Sequence, residues 1–122
     1  MSFTLRKGSH YEDNARKFLR KQGLQLIESN FRCRLGEIDL IMQHDDCVCF
    51  VEVRFRKSGD YGGAGASITV AKQRKIIRAA RFYLAQNAAL ANRPLRFDAL
   101  LIEPGPDGRP DYNWIQNAFY AE

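Results

Sequence analysis

Apolar and polar positions alternate along this chain with two different periods, and the changes of period mark its elements. Ser9-His10-Tyr11-Glu12 has the form of a capping box, and Tyr11, Ala15, Phe18, Leu19 and Gln22 follow it at helical spacing. Gly23 is a natural stop, so a first helix is predicted over about 9–22. Leu24 to Phe31 reads as a strand. Glu37 to Met42 alternates strictly, which places Ile38, Leu40 and Met42 on one face and Glu37, Asp39 and Ile41 on the other. Val48 to Arg54 is a third strand, rich in Val and Phe, with Gln43 to Asp46 as the turn before it. Thr69 caps a second helix reaching about Ala89, with Val70, Gln73, Ile76, Ile77, Ala80, Tyr83 and Leu84 on its buried side. Arg96 to Ile102 is a further strand, Pro104 to Pro110 a turn, and Tyr112 to Phe119 a last strand or packed tail. The order αβββαββ predicts an α/β domain with a mixed central sheet flanked by helices.

Length and composition narrow this reading. At 122 residues the chain has room for one core, so 1–122 is read as a single domain. Its longest unbroken apolar run, Cys47 to Val51, is far below the roughly 20 residues of a membrane span. The first residues lack an apolar stretch of signal-peptide length. Cys33, Cys47 and Cys49 do not look like a disulfide scaffold, so a reducing cytoplasmic setting is expected. The spacing of these thiols and His44 also lacks a paired zinc knuckle, and they are read as buried thiols. The histidines, His10 near a helix start and His44 near a turn, read as polar surface. The glycine-rich stretch Ser58 to Ser67 lacks the Gly-Lys-Ser/Thr ending of a nucleotide-phosphate loop, which excludes a P-loop NTPase. A Ser/His/Asp hydrolase has no nucleophile elbow here to support it.

Charge adds a partner. The net +5 is unevenly spread: residues 1–34 carry +5, residues 35–53 carry −5 without one basic side chain, and residues 54–81 carry +7. Basic surfaces of this kind attract polyanions, although solvated faces account for such runs equally well. The acidic segment between them changes the balance. A two-residue turn at Asp45–Asp46 sets Asp39 directly opposite Glu52, and Glu37 opposite Arg54. Directly opposed like charges destabilise a sheet, and a hard divalent cation between them removes the conflict. Such an ion polarises phosphoryl oxygens and activates a bound water. The alternative, two solvated carboxylates on a wet sheet face, fits poorly with the apolar neighbours Leu40 to Met42 and Cys49 to Val53.

Asp39 with Glu52-Val53-Arg54 resembles the PD-(D/E)xK motif of restriction-endonuclease-like enzymes. More closely, Asn30 to Ile41, with its Gly36-Glu37-Ile38-Asp39-Leu40-Ile41 string, and Phe50 to Arg54 look like the YraN family. That bacterial family is predicted to be endonucleases and is similar to archaeal Holliday junction resolvases. The likeness continues through Val70 to Arg74 and Arg96-Phe97-Asp98 to Asn117-Ala118-Phe119, nearly the whole chain.

The resemblance implies a three-layer restriction-endonuclease-like fold and a Mg²⁺ (or Mn²⁺) dependent endonuclease acting on DNA rather than RNA. Branched or structured DNA is the expected substrate, and a homodimer would suit a two-fold junction. Asp39 and Glu52 match the metal carboxylates. Glu12 matches a first-helix glutamate that joins the metal in related resolvases, and it is equally a capping-box partner for Ser9. Arg54 stands where the motif has lysine; it stays charged and cannot act as a base, though it can hold phosphate. Lys72 either supplies the missing amine or contacts phosphate at the helix N-terminus. Arg74, Lys75 and Arg78 are the candidate nucleic-acid contacts on the same helix. Glu37 is either a salt-bridge partner for Arg54 or a group that steadies the site, and Asp98 is read as pairing with a neighbouring arginine. Two further readings stand beside the nuclease: a nucleic-acid-binding module without catalysis, favoured by Arg54, and a partner-binding protein.

Overall fold

The computed structural model describes residues 13–55 and 68–121. The capping box, Glu12 and the glycine-rich stretch with Tyr61 lie outside them. A helix, α1, covers described residues 13–21 and ends at Gly23, whose φ of 102° only glycine adopts freely. Five strands follow in chain order: β1 (Leu24–Cys33), β2 (Gly36–His44), β3 (Cys47–Phe55), β4 (Leu95–Pro104) and β5 (Pro110–Phe119). Helix α2 (Val70–Gln86) and a 3₁₀ turn (Ala88–Leu90) connect β3 to β4.

The strands form one sheet in the order β1-β2-β3-β4-β5. β3 and β4 are parallel, as a crossover through α2 requires, and every other pair is antiparallel. Two hydrophobic clusters lie on opposite faces. Ala15 and Leu19 of α1 pack with Leu24, Leu40, Met42, Cys49, Val51, Leu100 and Ile102. Ile76, Ala79, Ala80, Tyr83 and Leu84 of α2 pack with Ile38, Ile41, Val48, Phe50, Phe97 and Ala99. A helix on each face of a mixed sheet is the three-layer arrangement expected from the sequence.

Several details differ from the alternation pattern. Ile38 joins the α2 face with Ile41, while Leu40 and Met42 face α1. The switch coincides with Asn30 of β1, whose φ of 54° is left-handed and which lies between the pairs Ser29↔Leu40 and Phe31↔Ile38, level with Asp39. A left-handed residue kinks the strand and lets Phe31 and Ile38 turn together toward α2. On α2, Val70 is exposed rather than buried, and Ala79 takes a core place not foreseen. The helix also ends at Gln86, not near Ala89, because Asn87 leaves helical geometry and its side-chain amide caps Tyr83 O at 2.8 Å. Of the three thiols, Cys49 is buried while Cys33 and Cys47 are only half-buried.

Candidate metal and phosphate site

The β2–β3 hairpin positions the two carboxylates. Its turn is the one anticipated: Asp45 has a left-handed φ of 55°, a conformation Asp tolerates better than most residues, and Gln43 Nε2 donates to Asp45 O at 3.1 Å. The register runs from His44↔Cys47 to Leu40↔Val51. There the ladder stops, one step short of Asp39 and Glu52. Instead of facing Glu52 as a ladder partner, Asp39 turns its carboxylate along the strand edge, where Oδ2 accepts the backbone N–H of Val53 at 2.8 Å. The aspartate thus replaces a ladder bond and is pinned beside the peptide that follows Glu52.

Glu52 projects to the α2 face and is 6% exposed. A buried carboxylate needs a charged partner. Lys72 supplies it from the first turn of α2, with Nζ 2.9 Å from Glu52 Oε2 and its own side chain half-exposed. Thr69 fixes that turn: its hydroxyl accepts the Lys72 N–H at 3.2 Å, and Gln73 Nε2 donates to Ile68 O at 2.7 Å. This geometry brings the Lys72 amine to the Glu52 carboxylate, which is compatible with either role open to it. Arg54 is half-buried two residues along β3, on the face that Glu52 occupies by alternation, and lies in register with Leu101 of β4.

Glu37 does not sit opposite Arg54. It pairs across β1–β2 with Arg32, whose Nε lies 4.0 Å from Glu37 Oε2, and both side chains are exposed. Glu37 nevertheless lines a groove with Gly36, Thr69, Lys72 and Lys75, the last two on α2. Gly36 is what allows that groove to be narrow. A Cβ at this position would meet Lys75 O at 2.8 Å, so only glycine lets the β1–β2 turn approach the backbone of α2 so closely. The four basic residues expected to act together divide between two grooves: Lys72 and Lys75 line this one, Arg74 and Arg78 the other flank of α2.

Asp98 is fully buried on the opposite side of the sheet. Arg96 Nε donates to both of its oxygens at 2.9 and 3.1 Å, Trp114 Nε1 donates to Oδ2 at 3.0 Å, and the Asn117 N–H donates to Oδ1 at 3.1 Å. Its pairing with an arginine is as expected. The reach of the network is not. His44, read from sequence as turn surface, has Nδ1 3.0 Å from Arg96 Nη2 and its ring 5.6 Å from that of Trp114. Fifty-two residues separate His44 from Arg96, and no local pattern signals the contact. Burial alone would lower the Arg96 pKa, but the hydrogen bonds and charge of Asp98 outweigh it and leave it raised. With donors on both oxygens and no exposure, Asp98 holds β4 to β5 and has no face left for an ion.

Among the described residues no group of three or more His, Cys, Asp or Glu side chains gathers as a metal cage. The donor set at the ladder end is two carboxylates, and Oε2 of Glu52 is engaged there by the Lys72 amine. That set suits Mg²⁺, which is commonly held by one or two carboxylates with water and substrate phosphate completing the shell. No described helix is long and apolar enough to cross a membrane.

Comparison with known sequences places these residues in a family. The sequence model of "Uncharacterised protein family UPF0102" matches residues 11–102, which include both carboxylates, Lys72 and the arginines of α2. A UPF0102 protein of Nitrosomonas eutropha is 56% identical over 119 residues, covering 98% of this chain and 97% of that one. A UPF0102 protein of Alcanivorax borkumensis is 49% identical over 115 residues, covering 94% and 92%. Another from Pseudomonas syringae is 46% identical over 112 residues, covering 92% and 91%. With a family match across most of its length and relatives aligned nearly end to end, the chain belongs to the UPF0102 family.

Proposed function

We propose that the chain is a divalent-metal-dependent endonuclease that hydrolyses phosphodiester bonds in DNA, with branched or structured DNA as its substrate class. The observation that carries this reading is the convergence of Asp39, Glu52 and Lys72 where the β2–β3 ladder ends. Asp39 and Glu52 would hold Mg²⁺ or Mn²⁺, which supplies Lewis-acid polarisation of the phosphoryl oxygen and a water acidic enough to attack. Lys72 carries the amine that the Arg54 position lacks. Between substrate and Glu52, its Nζ can hold the scissile phosphate or orient the attacking water, a role that needs a movable point charge rather than a planar fork. Arg54 would add positive charge against the developing phosphorane without moving a proton. Lys75 would hold the backbone at the groove mouth.

The test is cleavage of structured DNA in Mg²⁺. Asp39→Ala and Glu52→Ala should each abolish cleavage while DNA binding survives or tightens, because carboxylate repulsion of phosphate is removed. Full cleavage by both variants would sink the proposal. A second reading, a nucleic-acid-binding module without catalysis, is favoured by Arg54 and by a Glu52 charge already neutralised by Lys72. It predicts salt-dependent binding indifferent to EDTA and no cut in any metal.

A further inference from the structure

The two flanks of α2 differ in chemistry. On the flank away from Glu37, Val70, Gln73, Arg74, Ile77, Arg78 and Arg81 meet Tyr120, just past β5, around an open groove of about 470 Å³. Among the described residues, no acidic side chain lines it. Arg74 and Arg78 are exposed and join no ion pair among the described residues. At 1.5 Å rise per residue, Arg74, Arg78 and Arg81 form a stripe roughly 10 Å long beside the apolar Val70 and Ile77. Tyr120 is 68% exposed and Val70 59%, the two most exposed large hydrophobic side chains among the described residues.

Three arginines in a row provide forks that grip phosphate oxygens. A duplex would satisfy them, but it would leave the tyrosine and the apolar floor unused, because its base faces are stacked away. An unpaired strand offers phosphates and base faces together, and stacking on an aromatic side chain is worth about 1–3 kcal/mol per base. We infer that this groove is a track for a single-stranded segment of nucleic acid, with Arg74, Arg78 and Arg81 on the phosphates and Tyr120 under a base. The inference rests on the nucleic-acid reading above and adds to it the strandedness of the substrate. Val70 and Arg74 lie level with Lys72 along α2 but on its opposite flank, so the track starts at the same end of the helix as the carboxylate site and runs away along it.

The experiment is fluorescence anisotropy with the full chain in EDTA, which prevents cutting. The probes are an oligothymidine strand and a hairpin duplex of equal phosphate count, with polyglutamate as competitor. Tyr120→Ala should weaken strand binding about fivefold or more, the lower end of one stacked base, and leave duplex binding unchanged. Arg74→Gln with Arg78→Gln should reduce the salt slope of strand binding by about 1.4, two phosphate contacts' worth. Unchanged strand affinity in Tyr120→Ala, or equal losses on strand and duplex, would overturn the track while leaving nucleic-acid binding intact. Polyglutamate binding that falls equally in Tyr120→Ala would assign the groove to an acidic peptide instead. Failure of the wild type to bind either nucleic acid would remove both this inference and the reading beneath it.

Discussion

Asp39 and Asp98 use their carboxylates in the same local way, each accepting a strand N–H where a ladder is interrupted. What separates them is the rest of the shell. Asp98 has donors on both oxygens from Arg96, Trp114 and Asn117 and is sealed from water, so its work is cohesion. Asp98→Ala strands the half-buried Arg96 guanidinium and should cost about 3–5 kcal/mol in urea unfolding. Binding of Mn²⁺ by the folded fraction should not change. Cys49 makes a second residue-scale prediction. Burial, with Arg96 opposing and Asp98 adding, pushes its thiol from 9.0 up to about 12. At pH 8 the folded protein should react with a disulfide reagent at Cys33 and Cys47 well before Cys49. A raised acid pKa favours the protonated form in the fold, so its penalty is absent below pH 9 and grows as pH rises toward 12. The sequence pointed to Asp39, Glu52 and Lys72 because each sits in a local motif. It did not show His44 beside Arg96, since that contact exists only after β2 and β4 join one sheet.

At the scale of elements, the central device is a hairpin whose ladder ends early against a capped helix. The turn residues Asp45 and Asp46 fix the register, and that register was readable because only one pairing buries Leu40, Met42, Cys49 and Val51 together. The point where pairing stops was not readable, nor was the switch of Ile38 to the α2 face. Both coincide in position with the left-handed Asn30 on the neighbouring strand, a backbone choice that alternation of residue types does not encode. Two predictions belong here. Thr69→Ala removes the acceptor for the Lys72 N–H and should lower stability by about 1 kcal/mol, with Thr69→Asp restoring it. Gly36→Ala sets a methyl against Lys75 O and must push the β1–β2 turn, and the start of β2 with it, from α2, at about 1–3 kcal/mol by thermal unfolding. It should also weaken cleavage beyond what the stability loss explains, because it moves Asp39 relative to Lys72.

For the molecule as a whole, a buried layer on each sheet face separates two kinds of chemistry. The α1 face holds the closed Asp98–Arg96–Trp114 network, and the α2 face holds the open site with its two basic grooves. The three-layer order was legible because helical and strand periods alternate cleanly along the chain. The division of the basic residues between two grooves was not, since Lys72, Arg74, Lys75 and Arg78 lie close in sequence yet point to different flanks. Membership of UPF0102 extends over the residues that build this site, while the metal at its centre is proposed from their chemistry. Binding of Mn²⁺, followed by its paramagnetic effect on water protons, tests that claim without any choice of substrate. Wild type should bind saturably, Asp39→Ala and Glu52→Ala should lose the signal, and Lys72→Ala should keep or strengthen it as a competing positive charge leaves Glu52. Equal binding by wild type and Asp39→Ala, or none by the wild type even with DNA present, would contradict a metal site at the end of the β2–β3 ladder.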